Sequence, residues 1–323
     1  MLLVFEWLAR ALYPEPEVLA AGLAVGLMLD LAYPEHRGLA LKLHPVHTSY
    51  IMALRLVRPG AGRAWGAAIW LLTISSHMMV YASLLAASYL VHPALHTLAV
   101  GVIVKLSMPL RLLLDTCIKA SRMAAAGRVE CSRRLVQGIV RRDLSGEPLG
   151  RVLSACIEST AESLVDGYTS PLTYYILLGP LGALLQRLSN TLDGAVGFKT
   201  PLLYRQGWFS AKADTLLNFI PARLTAVMVA LAAPLAGAST LGSLRCIARC
   251  ARLLESVNAG YPISAFAGAL DVRLEKKGFY IVNGGAPYPG WRDGLKASRL
   301  AVSAASLYTV LAALAIALGG GAG

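Results

Sequence analysis

Charged side chains are scarce in this chain. Of its 323 residues, 15% are charged and 56% are hydrophobic, and the mean hydropathy is +0.58. A typical soluble domain has about 25% charged residues, because its surface must interact with water. The composition therefore excludes an ordinary soluble domain and predicts an integral membrane protein.

Acidic residues are the scarcer of the two charge types. The chain has 18 Asp and Glu against 30 Lys and Arg, which gives a net charge of +12. Such an excess is typical of proteins that bind nucleic acid, anionic lipid or an anionic substrate. The cations are spread through loops beside apolar segments, and no nucleic-acid-binding module is recognisable. We therefore expect a lipid bilayer and an anionic substrate as partners, and no nucleic acid.

Several common site motifs are also missing. The five cysteines form no CxxC pair and are odd in number, so we expect reduced thiols that act mainly as small core residues. No GxxxxGK[ST] loop occurs, since "GASTLGS" at 237–243 lacks the lysine. No motif supports Ser-His-Asp or Cys-His catalysis. A nucleotide would therefore need another kind of binding site.

The first residues do not have the pattern of a signal peptide. Glu6 and Arg10 interrupt the apolar run, and no small-residue cleavage site follows it. We expect an amphipathic surface helix that is retained in the mature protein.

Long apolar segments predict an all-α, polytopic membrane protein. Four segments are predicted to span the bilayer, near residues 18–33, 64–91, 93–114 and 298–318. Polar segments lie at 34–63, 115–170, 190–218 and 243–297, and the excess of Lys and Arg in the first and last predicts a cytoplasmic location. We expect one membrane-embedded catalytic domain with cytoplasmic helical segments.

Two further apolar segments, 171–188 and 219–241, leave the number of crossings open. We also expect the polar segment 115–170 to be cytoplasmic. It and the segment 243–297 flank this pair, so either both apolar segments cross or neither does. A crossing pair would place the polar segment 190–218 outside the cell, away from cytosolic reactants. We favour a re-entrant or interfacial pair, which keeps the polar clusters on the cytoplasmic side.

Three acids lie four residues apart before the first of these apolar segments. In a helix, Glu158, Glu162 and Asp166 share one face, and Arg151 falls within about a quarter turn of them. Like charges at this spacing repel each other, so we expect a cationic partner over the face. A solvated face whose acids contact nearby arginines is an equal alternative on the helix alone. The helix is predicted to end at Asp166 and Gly167, close to the membrane boundary.

A pair of histidines three residues apart is open to two interpretations. His44 and His47 could ligate a metal, but Pro45 disfavours the helix that would align them. We favour a turn at this position.

Ordered polar motifs recur along most of the chain. They are "LDLAYP" and "HPV" near the start, "RD" at 142–143, "ESTAESLVDGYTSPL", "NTLDGAVGF", "AKADTLLNFIPARLT" and "SVNAGYPISAFAGAL". Over about residues 22–290, this series resembles the adenosylcobinamide-phosphate synthase family of cobalamin biosynthesis. Some positions depart from the family pattern, among them Leu29, Ser163, Thr215 and Val257.

The resemblance implies an ATP-dependent ligase that forms an amide. Such an enzyme joins adenosylcobyric acid to aminopropanol phosphate, or to a close amino-alcohol phosphate. It requires Mg²⁺, which bridges phosphate oxygens and is usually held by one or two carboxylates and waters. The resemblance also implies proximity to other membrane enzymes that act late in the cobalamin pathway.

The resemblance also implies the site residues. The candidate catalytic and Mg²⁺-binding acids are Glu158, Glu162, Asp166, Asp193 and Asp214. The candidate substrate-binding residues are Asp30, Arg142, Asn190, Lys199, Arg205, Lys212, Asn218, Arg223 and Asn258. Each cation has the alternative role of pairing with an acid or a lipid headgroup, and each asparagine that of capping a helix.

Two other functions fit parts of the sequence. A transporter for an anionic solute uses charges inside the membrane and broken helices, although this chain has no inverted repeat. A non-catalytic membrane sensor fits distant relatives of the superfamily, but leaves the dense acid and amide motifs unexplained. The ligase is the function that we favour.

Overall fold

The computed structural model describes residues 2–319, except for the side chains of residues 2–5 and 113. The predicted all-α fold is confirmed, because regular strands among the described residues are limited to one hairpin of two three-residue strands. The amphipathic segment at the start is helical, as predicted.

The helices and strands have the following bounds. The first nine helices are α1 (Leu2–Leu12), α2 (Pro16–Ala32), α3 (Gly38–Lys42), α4 (Pro45–Leu56), α5 (Arg63–Val91), α6 (Pro93–Ser107), α7 (Leu110–Ala125), α8 (Val129–Gln137) and α9 (Leu149–Leu164). The others are α10 (Ser170–Val196), α11 (Trp208–Leu217), α12 (Phe219–Ala232), α13 (Thr240–Cys250), α14 (Gly260–Leu270) and α15 (Trp291–Gly319). Strands β1 (Leu274–Lys276) and β2 (Tyr280–Val282) are antiparallel, with Glu275 opposite Ile281.

Helices α4 and α6 both begin with a His-Pro sequence. Proline occupies the first turn of α4 and of α6, where its missing N–H costs nothing. The preceding histidines, His44 and His92, each accept a hydrogen bond from the backbone N–H two residues on, at 3.2 Å. The predicted turn at this position is confirmed only in part, because His44 caps α4 while His47 lies within the helix. Pro45 does not prevent the helix, since it occupies the first turn.

Within residues 2–319, four helical stretches are long and apolar enough to cross a membrane. They are Arg63–Val91, Pro93–Ala125, Phe219–Ala236 and Trp291–Gly319. Three of them contain the spans predicted near 64–91, 93–114 and 298–318, and the fourth covers most of the ambiguous segment 219–241. Helix α2, the predicted span 18–33, has 17 residues and is not among the four.

The other ambiguous segment, 171–188, lies within α10. This helix is kinked at Gly179, which has φ 69° and ψ −162° and precedes Pro180. A proline inside a helix removes a hydrogen bond and breaks the helical path. The re-entrant pair stays a prediction.

The chain divides into two compact units. The first takes in the residues up to Pro109, Ser170–Leu217 and the residues from Leu311 on, and the second takes in Leu110–Thr169 and Asn218–Val310. In the first unit, α2 packs closely on α6 because Gly22 and Gly26 on α2 face Val100 and Val104 on α6. This small-xxx-small spacing lets two helices approach closely in a membrane.

The second unit has a core at the contacts between α7, α8 and α9. Its buried members are Cys117, Ala120, Val136, Leu144, Val152, Ala155 and Cys156. Cys117, Cys156 and Cys246 are buried free thiols, so the role of a small core residue is confirmed for these three. Cys250 is half-buried and Cys131 is exposed.

One local prediction is wrong, and one local element was missed. The acidic helix does not end at Asp166 and Gly167, because α9 passes into a π-helical turn, Val165–Thr169, that leads directly into α10. The hairpin of β1 and β2 was not predicted. Its turn contains Gly278 with φ +78°, a conformation that favours glycine.

The first test concerns the glycine contact between α2 and α6. In Gly26→Ala, the new Cβ overlaps the Val104 side chain and lies 2.8 Å from the Gly101 carbonyl oxygen. Overpacking of this kind costs about 1–3 kcal/mol. Thermal unfolding of the purified protein in detergent should show this loss. The control, Gly285→Ala, adds a methyl group in open space and should leave stability unchanged. Equal stability of both variants would contradict the contact.

A second test concerns topology. Thr200 is exposed in the turns between α10 and α11. With the five natural cysteines replaced, Thr200→Cys should react with an impermeant thiol reagent only from the cytoplasmic side. Labelling from the outer side would show that α10 and α12 both cross the membrane.

Candidate functional site

A cavity of about 290 Å³ opens in the second unit, where one end of α9 faces the hairpin. It is lined by Ile139, Val140, Arg141, Arg142, Ala155, Glu158, Ser159, Glu162, Lys276 and Tyr280. We call this the acid–base pocket. Its volume lies at the lower end of the range for small-molecule sites, about 300–1,000 Å³.

Glu158 is the buried centre of the acid–base pocket. Its side chain is 5% exposed, and its Oε1 accepts hydrogen bonds from Arg142 Nη2 at 3.0 Å and from Ser154 Oγ at 2.6 Å. Its Oε2 accepts from the Tyr280 hydroxyl at 2.6 Å. A buried carboxylate is stable only with such partners. Glu158 thereby joins α9, the 138–148 loop and the hairpin.

Glu162 lies one helical turn further on and has a different environment. Its side chain is exposed within the pocket, yet the surrounding protein displaces much of its water. This desolvation raises the pKa of Glu162 to about 7, and the negative charge of Glu158 adds to the shift. The two neighbouring acids therefore differ, since one is buried and fully bonded and the other is accessible. The predicted shared face is confirmed for Glu158 and Glu162.

Cations complete the pocket, as the acidic face led us to expect. Arg142 also donates to the Glu275 carbonyl oxygen at 3.2 Å, so its guanidinium is held at two points. Lys276 on β1 lines the cavity and has its Nζ 4.6 Å from the ring centre of Phe279. A pocket with a fixed arginine donor and a lysine in its lining suits phosphate or carboxylate groups.

A second carboxylate fixes the hairpin against α9. Glu275 is 8% exposed and accepts hydrogen bonds from Arg273 Nη2 at 2.6 Å and from the Tyr288 hydroxyl. Arg151 Nη2 lies 3.5 Å from the other carboxylate oxygen of Glu275. The backbone N–H of Glu275 donates to Ser154 Oγ at 2.8 Å. Arg151 therefore pairs with Glu275 and Glu147, and not with the three acids of the predicted face.

Whether the pocket fits Mg²⁺ depends on which side-chain oxygens are available as metal ligands. Among the residues whose side chains are described, no three His, Cys, Asp or Glu side chains form a group that could hold a metal ion. Glu158 already accepts three hydrogen bonds, whereas Glu162 is accessible. The pocket therefore fits Mg²⁺ that is held mainly by substrate phosphates and waters with one protein carboxylate, a common arrangement for this ion.

Asp166 lies outside the acid–base pocket. It is half-buried in the π-helical turn and does not line the cavity. A π-helical turn holds more residues than an α-helical turn, so it changes the phase of the helix. Asp166 is therefore not part of the acid–base pocket, and its role as a site residue stays a prediction.

A further set of predicted residues lies in the first unit, on α10 and α11. Asn190 Nδ2 donates to Asp214 Oδ1 at 3.1 Å, so the structure brings these two together. Asp193 lies one turn after Asn190 with its carboxylate against Gly197. The predicted cations of this unit, Lys199, Arg205 and Lys212, are exposed. Asn190 lies inside α10 and is not a helix cap.

Two other predicted residues meet in the second unit. Arg223 Nη1 lies 3.4 Å from Asn258 Oδ1, and Nη2 donates to the Val257 carbonyl oxygen at 3.3 Å. The guanidinium also lies 3.5 Å from the ring centre of Phe219 and 4.2 Å from that of Tyr261. These contacts hold the guanidinium in one orientation. Asn218 is buried at the start of α12 without a capping hydrogen bond from its side chain.

Sequence reasoning missed several residues of the acid–base pocket. Ser154 lies four residues before Glu158, so helical spacing could have included it. Lys276 and Tyr280 were missed together with the hairpin, although "GFYIV" has the glycine followed by aromatic and β-branched residues that indicates a turn and strand. Asp30, the remaining predicted residue, is buried on α2 in the first unit.

Comparison with known proteins identifies the family. The family model described as CobD/Cbib protein matches residues 23–308. The chain belongs to the CobD/Cbib family. The acid–base pocket and all the predicted site residues lie within the matched range.

Named relatives of this family are moderately similar to the chain. The probable cobalamin biosynthesis protein CobD of Methanothermobacter thermautotrophicus is 41% identical over 191 residues, which is 58% of this chain and 62% of that protein. The protein of the same name in Thermoplasma volcanium is 40% identical over 185 residues, 57% of this chain and 60% of the relative. The cobalamin biosynthesis protein CobD of Geobacter metallireducens is 41% identical over 150 residues, 46% of this chain and 47% of the relative.

The matched region is partial for each of these relatives. The chain spans about three fifths of the length of the first two. No solved structure matches the chain.

A third test concerns the attachment of the hairpin to α9. Glu275→Gln leaves Arg273 and Arg151 without their carboxylate, so the free energy of unfolding should fall by about 1–2 kcal/mol at pH 7. The Tyr288 hydroxyl and the arginines hold the pKa of Glu275 below its usual 4.5. The stabilisation is therefore present above about pH 4.5 and is lost as the pH falls through the lowered pKa.

Thermal unfolding of both proteins between pH 3 and pH 7 measures this difference. The control variant Glu130→Gln, at an exposed ion pair with Arg133, should change stability little at any pH. A stability loss in Glu275→Gln that does not depend on pH would contradict the role of the charge.

Proposed function

We propose that this chain is an ATP-dependent ligase that joins adenosylcobyric acid to aminopropanol phosphate, or a close amino-alcohol phosphate, in cobalamin biosynthesis. The observation that carries the proposal is the acid–base pocket. In it, Arg142 is held by two hydrogen bonds and Lys276 lines the cavity, beside the accessible carboxylate of Glu162. The names of the relatives support the pathway, and the motifs of the sequence support the reaction.

The reaction makes two chemical demands. A carboxylate is a poor acylating agent, so one of its oxygens first attacks the terminal phosphorus of ATP. The bond from this phosphorus to the bridging oxygen breaks, ADP leaves with that oxygen, and an acyl phosphate is formed. The amine of the amino-alcohol phosphate then attacks the acyl carbon. Phosphate leaves with the oxygen that linked it to the acyl group, and the amine loses a proton. Each step places negative charge on phosphate oxygens, which cations must stabilise.

Arg142 and Lys276 are the residues that we assign to the phosphate groups. Glu158 and the Glu275 carbonyl oxygen fix the guanidinium of Arg142, so the arginine is oriented before a ligand binds. Lys276 lies on the hairpin and adds a mobile point charge. Arg141, which also lines the cavity, adds a third positive charge.

Glu162 is the residue that we assign to Mg²⁺. When bound, Mg²⁺ would neutralise phosphate charge and orient the terminal phosphoryl group. Glu162 fits this role because its carboxylate is accessible while that of Glu158 is occupied by hydrogen-bond donors.

The polar residues of the first unit remain candidates for substrate binding. Asn190 and Asp214 present an amide and a carboxylate that suit the many amide side chains of a corrinoid. Lys199, Arg205 and Lys212 are exposed cations that suit an anionic substrate. Asp193 and Asp166 stay candidate acids without an assigned step, and Arg223, Asn218 and Asn258 stay candidates for substrate contact.

The experiment is a reconstituted ligation. Purified protein is mixed with adenosylcobyric acid, aminopropanol phosphate, ATP and Mg²⁺, and the products are measured by mass spectrometry. A product heavier by the condensed amine, formed together with nucleotide turnover, is expected. Absence of both with well-folded protein would contradict the proposal.

Variants assign the pocket to this reaction. Glu162→Gln removes the accessible carboxylate, and we expect amide formation to fall at least 100-fold while membrane insertion is unchanged. Asp166→Asn tests the neighbouring acid in the same assay, with the same loss expected if it takes part. Glu130→Gln is the control, because this exposed acid lies on α8 and does not line the cavity. Full activity in Glu162→Gln would remove Glu162 from the site.

A further inference from the structure

Two arginines at the start of a candidate membrane span lie over tryptophan rings. Helix α5 begins at Arg63, and the loop before it contains Arg58. The guanidinium carbon of Arg58 lies 4.0 Å from the ring centre of Trp65, and that of Arg63 lies 5.1 Å from the ring centre of Trp208. Such cation–π contacts stabilise one orientation of a planar guanidinium group. We call these four residues the Arg–Trp clamp.

The buried side chain of Gln206 connects the two chain segments that form the Arg–Trp clamp. Gln206 Oε1 accepts a hydrogen bond from the backbone N–H of Arg58 at 3.2 Å, and its Nε2 donates to the Arg58 carbonyl oxygen at 3.0 Å. Gly66, in the first turn of α5, lets the two backbones approach, because a Cβ there would overlap the carbonyl group of Gln206. The segment 201–208 is therefore fixed at the end of α5 where the candidate span begins. All of these residues belong to the first unit.

The positive charges of Arg58 and Arg63 are not compensated by protein carboxylates. Both side chains are exposed, and neither forms an ion pair with an acid among the residues whose side chains the structure describes. The sequence gives a reason, since residues 36–114 and 194–213 contain no Asp or Glu. The anions that balance these two charges must therefore come from solvent or from a ligand.

Exposed apolar side chains lie in the same region. Leu202, Tyr204 and Trp208 are 48%, 61% and 39% exposed. Tyrosine and tryptophan are enriched at the membrane–water interface, where the ring contacts acyl chains and its polar atom contacts water. Further along α5, Leu71 and Leu72 are about half exposed, as expected for a helix that faces lipid. The Arg–Trp clamp therefore has the surroundings of a lipid headgroup site.

We propose that the Arg–Trp clamp binds the phosphodiester group of an anionic phospholipid. A guanidinium can donate two parallel hydrogen bonds to phosphate oxygens, and the tryptophan rings hold both guanidinium groups in place for this contact. An anionic lipid is favoured over a zwitterionic one, because the cation of a choline headgroup already compensates its own phosphate. The acyl chains of the lipid would contact the apolar side chains of α5.

The position of the clamp also indicates which leaflet holds the lipid. The loop before α5 is predicted to be cytoplasmic from its excess of Lys and Arg. Because Gln206 fixes the segment 201–208 to this loop, that segment would lie on the same side of the membrane. The bound lipid would thus belong to the cytoplasmic leaflet, whose surface is commonly anionic.

Lipid binding to the full-length purified chain in detergent tests this site. Native mass spectrometry measures binding of phosphatidylglycerol and of phosphatidylcholine with the same acyl chains, with neither ATP nor corrinoid present. We expect phosphatidylglycerol to bind about tenfold more tightly or better. Glycerophosphoglycerol, the headgroup without acyl chains, is the probe for a soluble anion. If it binds as tightly as phosphatidylglycerol, the assignment to a lipid is overturned.

The double variant Arg58→Gln with Arg63→Gln removes both guanidinium groups. Its affinity for phosphatidylglycerol should fall by about tenfold or more, whereas its affinity for phosphatidylcholine should not change. Arg58→Lys with Arg63→Lys keeps both charges without the planar group, so we expect a smaller loss of about threefold. The control, Arg128→Gln with Arg134→Gln, removes two exposed arginines of the second unit and should bind as the natural protein does. Thermal unfolding without added lipid checks that each variant is folded.

These outcomes do not depend on the proposed function, because no ligation occurs in the assay. Equal phosphatidylglycerol affinity in the natural protein and the glutamine variant would overturn the clamp. So would an equal loss in the control, since net charge alone would then explain binding. Lysines that bind as well as the arginines would contradict the role of the stacked guanidinium groups. A protein that binds the lipid through the clamp but does not ligate supports this inference and contradicts only the proposed function.

Discussion

The hydrogen bonds to the buried carboxylate of Glu158 are the interactions on which the acid–base pocket depends. A charge this deeply buried must be compensated locally, and its three donors come from three different parts of the chain. Compensation of the charge therefore also fixes Arg142 and Tyr280 in space. The hydrogen bond that offsets the cost of burying Glu158 is also the one that orients Arg142, the main cation of the pocket.

Helical periodicity alone predicted the contact face of Glu158 and Glu162, because side chains four residues apart are neighbours on any α-helix. It also predicted the long spans, which depend only on apolar length. It could not predict the π-helical turn at Val165–Thr169, since such a turn leaves no periodic signal in the sequence. The hairpin was missed because its strands have three residues each, too few for a periodic pattern. Lys276, Tyr280 and the ion pairs of Glu275 were missed for the same reason, because they belong to the hairpin.

Buried charge recurs as an organising constraint in both units. In the second unit, Glu158 and Glu275 are each surrounded by donors, so these carboxylates are structural as well as electrostatic elements. In the first unit, Lys105 is buried beside the imidazole of His36, which in turn contacts that of His44. The excess of Lys and Arg over acids is thus not only a property of loops near lipid headgroups. Part of it lies inside the protein, where Lys105 is 6% exposed and Arg142 is bonded to the buried Glu158.

The central claim is that the acid–base pocket holds the phosphates of a nucleotide beside Lys276. An ATP analogue whose terminal phosphate carries an acyl group transfers that group to lysines next to the phosphates. Peptide mass spectrometry of the labelled protein then identifies the modified lysine. The account predicts acylation of Lys276 that an excess of unmodified ATP blocks. ATP-protected labelling at other lysines, with none at Lys276, would contradict it.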